Sequence, residues 1–258
     1  MKEGETKYPK KGVTRMKSLS FKLGVIFVIG LSILTYAEVW GADWKVYGTT
    51  RGYFFHPKHS NGRALVYCHG GFRKILNPDL PGVDYFASHG WTVLVLKYED
   101  EIGKPRSIQG DIQETMEAIK SLKEKFSSVD LIGVSRGGFV ALQTFVRYGE
   151  KIEKCVSVVA PAHIQSWEAM SKITLEQQQY LKELDDPYEY IEKMPLVERL
   201  ELGKKLLLIY GIKDDAVPAS QGIGLSEKTK CKLILVDGGH MLFDRRENER
   251  LAEEFLLN

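Results

Sequence analysis

Gly133-Val134-Ser135-Arg136-Gly137-Gly138 follows the apolar run VDLIGV and opens a segment of helical pattern. Glycine two residues before and two after a serine suits a sharp strand-to-helix turn, where side chains would collide and the central residue takes strained backbone geometry. Such a turn lifts the Ser135 hydroxyl above a sheet, with a helix N-terminus behind it that favours developing negative charge. A serine hydroxyl is a weak nucleophile and needs a base that is itself oriented by a carboxylate. Both types recur downstream, each just past an apolar run. Asp214 lies in GIKDDAVP (residues 211–218), and His240 closes Gly238-Gly239-His240. Upstream, His69-Gly70-Gly71-Phe72 follows ALVYC. Its glycine-loosened backbone can turn N–H groups inward, so the amides of Gly71, Phe72 and Arg136 are the candidate oxyanion donors. These residues together describe acyl transfer from an ester-type or peptide carbonyl to water, chemistry that needs no cofactor and no metal.

Each assignment has a plainer competitor. Ser135 could sit in an ordinary glycine-rich turn of a nucleotide-binding fold, but the string lacks both G-x-G-x-x-G and the phosphate-loop lysine. Asp215 is the alternative acid, with a loop cap or a solvated charge as its other reading. His69 precedes the serine and reads as a loop-shaping residue. His56 and His59 have no third ligand near them in the chain and read as solvated. The Arg136 side chain either meets an acidic substrate group or points away. Trp167 is either packing or a substrate platform.

Positioning three distant side chains requires a frame, and the frame is visible as alternation. Apolar, β-branched runs at 64–68, 92–97, 129–134, 156–160, 206–210 and 233–236 are separated by helical patterns. That alternation predicts an α/β fold, a mostly parallel central sheet with helices on both faces. Ile108, Ile112, Met116, Ile119 and Leu122 form one stripe of a helix that should end near Phe126. Residues 137–148 and 246–257 read as further helices, and TTRGYFFHP as an antiparallel edge hairpin. Residues 163–202 carry no clear strand; their aromatics, charges, Pro187 and Pro195 suit a small helical cap or a decorated crossover.

Composition sets the remaining bounds. The chain has 258 residues, 43% hydrophobic and 27% charged, enough for one domain with a sizeable core. Seven cations against three acids precede residue 42, so the rest of the chain carries a net charge near −2, ill suited to gripping nucleic acid. Residues 23–37, LGVIFVIGLSILTYA, follow that basic stretch and are short for a bilayer span of about 20 residues. They read as a secretory signal within residues 1–41, cleaved after Ala37 or Gly41, and a start at Met16 rather than Met1 gives the more usual signal length. The expected location is secreted or periplasmic, with an uncleaved membrane anchor as the alternative. Residues 42–258 are then the catalytic domain. Cys68, Cys155 and Cys231 lie in or beside apolar runs with no metal spacing, and read as buried, inert thiols.

The order of serine, acid and histidine, each past a strand, resembles the α/β-hydrolase superfamily over residues 44–258. The G-x-x-D-x-x-V-P block and the GGH histidine are most similar to the prolyl-oligopeptidase-like and dienelactone-hydrolase-like branch. The resemblance implies Ser135 as nucleophile, Asp214 as acid and His240 as base. It also implies a small ester or short peptide as substrate. No stretch resembles the N-terminal propeller of the large oligopeptidases, and Ser135 stands where the dienelactone group carries a cysteine.

Overall fold

The computed structural model describes residues 43–47, 50–71, 80–98, 107–163 and 186–258. The proposed signal within residues 1–41, the candidate oxyanion residue Phe72, and Trp167 with residues 164–185 of the proposed cap all lie outside the described residues.

The elements in chain order are β1 (Asp43–Tyr47), β2 (Thr50–Phe55), β3 (Arg63–Cys68), α1 (Val83–Ser88), β4 (Thr92–Leu96), α2 (Ile108–Lys123), β5 (Ser128–Val134), α3 (Arg136–Tyr148), β6 (Cys155–Val158), α4 (Pro187–Lys193), α5 (Leu196–Lys204), β7 (Leu206–Gly211), α6 (Ser220–Thr229), β8 (Lys232–Val236) and α7 (Arg246–Leu257). The strands form one sheet in the order β1-β2-β4-β3-β5-β6-β7-β8. The β1–β2 hairpin sits at the edge and pairs antiparallel onto β4; every later pairing is parallel. This is the α/β-hydrolase arrangement, with β5 and its serine turn at the centre. The chain crosses at β3, so that β3 lies between β4 and β5.

The parallel strands β3 to β7 are mostly apolar because both faces are covered, while β8 at the sheet edge is partly exposed. On β3, Ala64, Val66 and Cys68 face one core while Leu65 and Tyr67 face the other. The first core receives Ile108, Ile112, Ile119 and Leu122 of the predicted α2 stripe, together with Phe139 and Phe145 of α3, Ile191 of α4 and Leu225 of α6. The second receives Val83 and Phe86 from α1 and Ala252 and Leu256 from α7. Truncating a fully buried phenylalanine such as Phe139 would cost roughly 3–5 kcal/mol, a large share of the stability of a domain.

Local signals set the helix ends. The Ser107 side chain accepts from the Gly110 amide at 3.0 Å and starts α2. Asp186 accepts from the Tyr188 amide at 2.9 Å, and Pro187 takes the first helical position of α4. Within the predicted 163–202 insertion the described part is helical, through α4 and most of α5. Helix α2 stops at Lys123, three residues before Phe126. The three cysteines are free and buried. Burial pushes the Cys68 thiol up to about 12 and that of Cys231 to about 11, and it carries Cys155 well above its usual range. Among the described residues no helix is long and apolar enough to cross a membrane.

Candidate active site

The serine turn is built by close approach of backbone to backbone. Ser135 adopts φ 56° and ψ −122°, a region that non-glycine residues rarely occupy. Its amide donates to the Val158 carbonyl at 2.8 Å, and its carbonyl accepts from the Phe139 amide at 3.1 Å. A Cβ on Gly133 would stand 2.2 Å from the Gly137 oxygen, and one on Gly137 would stand 2.1 Å from the Cys68 oxygen. Both glycines are therefore dictated by sterics: the turn folds onto itself and onto the end of β3. Helix α3 starts at Arg136, so its N-terminal dipole lies directly behind the serine.

The acid and the histidine arrive on two loops that pack together. Beyond β7, the Ile212 and Lys213 amides donate to the Val236 and Gly238 carbonyls at 3.0 Å each, tying the acid loop to the end of β8 and the loop that follows it. Asp214 is buried, and its Oδ1 accepts from the Ala216 and Val217 amides at 2.9 Å each. Its Oδ2 accepts from His240 Nδ1 at 2.8 Å. On the other side of the ring, His240 Nε2 lies 2.8 Å from Ser135 Oγ. With Nδ1–H committed to the carboxylate, Nε2 is the acceptor for the serine hydroxyl, the tautomer that a general base requires. Asp215 is exposed, so the structure brings Asp214 and not its neighbour to the imidazole.

The glycine loop after β3 borders the same place. A Cβ on Gly70 would fall 3.1 Å from the Val134 oxygen and 3.3 Å from Ser135 Cβ, so this loop runs against the serine turn. Gly71 has φ +80°, and it lines the cleft with Gly70 and Ser135. His69 is buried, with Nδ1 2.8 Å from the Gly70 carbonyl and its ring 5.1 Å from that of Tyr98, which fits a loop-shaping role. The Arg136 side chain takes neither course considered from sequence. It is nearly buried and donates from Nη2 to Oδ2 of Asp111 on α2. His56 and His59 are exposed, as expected.

Ser135 and His240 open onto a cleft of about 400 Å³. Tyr67, Leu80, Pro81, Val134, Met241 and Phe243 supply its apolar walls, and the Tyr67 hydroxyl donates to the Pro81 carbonyl at 2.7 Å. Met241 and Phe243 follow His240 directly in GGHMLF, a proximity visible in the sequence; Leu80 and Pro81 carried no such signal. A separate apolar cavity of about 230 Å³ beside α2 contains none of Ser135, Asp214 and His240.

Residues 97–242 match the prolyl oligopeptidase family. The chain belongs to that family. As a prolyl oligopeptidase family member it is a serine hydrolase, and the matched region contains Ser135, Asp214 and His240. No curated protein sequence matches the chain significantly. Solved structures share the fold at low identity. The Pyrococcus furiosus esterase Pf2001 superimposes with a TM-score of 0.61 at 17% identity, over 86% of this chain and 91% of that one. Est1E from Butyrivibrio proteoclasticus gives 0.63 at 14% identity, over 84% and 97%. A Mycobacterium tuberculosis puromycin-hydrolyzing peptidase gives 0.64 at 19% identity, over 85% of this chain but 40% of the peptidase.

Proposed function

We propose that this family member hydrolyses carboxylic esters of small substrates through an acyl-enzyme formed on Ser135. The observation that carries the reading is the hydrogen-bond chain Ser135–His240–Asp214, with both links at 2.8 Å. His240 Nε2 takes the hydroxyl proton as Ser135 Oγ attacks the carbonyl carbon, and the imidazolium that forms is stabilised by the Asp214 carboxylate. Negative charge gathers on the carbonyl oxygen, where the amide of Arg136 at the start of α3 and an amide of the 70–72 loop donate to it. His240 then returns the proton to the leaving alcohol. Water attacks the acyl carbonyl by the same relay, releasing the acid and restoring Ser135.

The ester reading draws support from the cleft, whose compact apolar walls suit a short acyl group better than an extended peptide backbone. Peptide or amide hydrolysis is the second reading, favoured by membership of a family named for its peptidases. It asks the same His240 to protonate a poorer leaving group. Matched p-nitrophenyl ester and p-nitroanilide substrates with one acyl group separate the two. Under the ester reading the ester is turned over and the anilide is not, and preferential turnover of a peptidyl anilide reverses the choice. Ser135→Ala should lower kcat by roughly three or more decades in folded protein, and an unchanged rate would sink the assignment.

Export is part of the proposal. The basic-then-apolar order of residues 1–41 supports a signal ahead of a catalytic domain at 42–258, with an intact membrane anchor as the alternative. N-terminal sequencing of protein recovered from an exporting host decides it: a start at Glu38 or Ala42 supports cleavage, and an intact leader in the membrane fraction supports the anchor.

A further inference from the structure

The first turn of α3 is the most demanding piece of backbone in the site, and beyond the Ser135 backbone bonds to Val158 and Phe139 its side chains offer little anchorage. Ser135 sits at strained angles and makes no side-chain cap bond. Gly137 and Gly138 follow and supply no side chains. Arg136 is therefore the one long side chain in Ser135–Gly138 that can anchor the turn, and its peptide N–H is the donor placed next to the nucleophile.

That side chain is committed elsewhere in the fold. Its guanidinium donates to the carboxylate of Asp111, whose side chain is 0% exposed against 9% for that of Arg136. The guanidinium also lies 5.7 Å from the centre of the Tyr98 ring. Asp111 is fixed in turn. Its amide donates to the Ser107 carbonyl at 2.8 Å, and its carbonyl accepts from the Thr115 hydroxyl at 2.7 Å. Thr115 reaches the Tyr98 hydroxyl at 3.3 Å and Cys68 Sγ at 3.9 Å. The end of β3, the residue two past β4, the first turns of α2 and the start of α3 thus meet in one buried polar cluster beneath the serine. Well-packed apolar residues of the same volume often stabilise a fold as well as a buried ion pair does, so this pair is weak evidence for a purely stabilising role.

We infer that the buried Arg136–Asp111 ion pair holds the Ser135–Arg136 peptide in its catalytic orientation, making Arg136 and Asp111 positioning residues for the oxyanion donor. The inference rests on the proposed acyl-enzyme reading. A guanidinium engaged with Asp111 is not offered to the substrate, so acyl groups bearing a carboxylate gain nothing from Arg136.

The test compares wild type with the Arg136→Met/Asp111→Asn double variant, which removes both charges and stays close to the original volume, and with Arg136→Lys and Asp111→Asn. Kinetics use a neutral short-chain ester and a hemisuccinate ester, alongside the dissociation constant of a short alkyl boronic acid. Its tetrahedral adduct on Ser135 places an oxygen where the oxyanion forms. The double variant should fold with KM near that of wild type, while kcat and boronate affinity both fall by about 10–100-fold, the scale of a misplaced oxyanion donor. Arg136→Lys should fall between the two.

Wild-type kcat and boronate affinity in the double variant would overturn the inference. So would a loss confined to KM for the hemisuccinate ester, which marks a substrate contact. Should the double variant not fold, wild-type values in both folded single variants overturn it equally, and matched losses of kcat and boronate affinity in them support it. A wild-type protein that turns over no ester and is not labelled at Ser135 by a fluorophosphonate instead defeats the proposed function.

Discussion

Replacing Asp214 by asparagine changes one atom, and the structure dictates what that atom will be. Oδ1 accepts two backbone N–H groups, from Ala216 and Val217 at 2.9 Å each, while Oδ2 accepts one bond, from His240 Nδ1 at 2.8 Å. An asparagine amide must keep its oxygen toward the two backbone donors, since reversing it would leave both unmet at about 1–3 kcal/mol apiece. Its NH2 group then faces His240 Nδ1. The imidazole can accept from that group only by moving its own proton to Nε2, where it faces Ser135 Oγ as a donor. The base is lost while the geometry survives. In a serine protease the equivalent change lowers kcat by about four decades, and that is the loss expected here, about 5.5 kcal/mol in activation free energy. The assay is kcat/KM on a p-nitrophenyl ester at fixed pH, with circular dichroism and a thermal melt to show that the fold is intact. Asp215→Asn is the matched control and should stay within about two-fold of wild type, as expected for an exposed site away from the chemistry. Asp214→Asn activity within tenfold of wild type, or a larger loss from Asp215→Asn, would refute the reasoning.

Gly137→Ala drives a methyl group to 2.1 Å from the Cys68 oxygen and 2.4 Å from the His69 oxygen, both backbone atoms that cannot rotate away. It should destabilise by at least ~1–3 kcal/mol, read by calorimetry as a Tm lowered by about 2–4 °C per kcal/mol, and a Tm equal to wild type would contradict the packing described. No thiol should react with Ellman's reagent in native protein at pH 8, and all three should react in denaturant, because burial keeps Cys68 and Cys231 protonated with values of about 12 and about 11. Burial also lifts the Asp130 carboxyl above its usual range, although Trp91 and Arg63 hydrogen-bond to it. The folded state then holds this proton more tightly than the unfolded chain, so its contribution is fullest at low pH and declines as pH rises from about 4 through the folded value. The Tm of wild type relative to Asp130→Asn should fall over that window, and a rise would mean that the Arg63 pair outweighs burial.

Much of the fold was legible because parallel strands covered on both faces are mostly apolar, and the six runs marked in the sequence fall on β3 to β8. The amphipathic stripe of α2 was equally plain, since one helix face meets a core and the other meets water. Short helices were not: α1 spans six residues and exposes too little periodicity to register. The acid was narrowed to Asp214 or Asp215 by spacing, but the choice waited on the contact with His240, 26 residues further along the chain, which no local pattern encodes.

The covalent order of the chain therefore settles which chemistry is available: a serine between glycines, an acid and a histidine past later strands, and a glycine loop after an earlier one. Those are local demands of turn sterics and strand burial, and they are written in neighbouring residues. Which way Arg136 turns, which walls enclose the cleft and which carboxylate meets the imidazole depend on contacts between segments tens to more than a hundred residues apart. Such contacts exist only once the sheet has brought its strand ends together, because hydrogen bonds and steric fit act over a few ångströms of space, irrespective of distance along the chain.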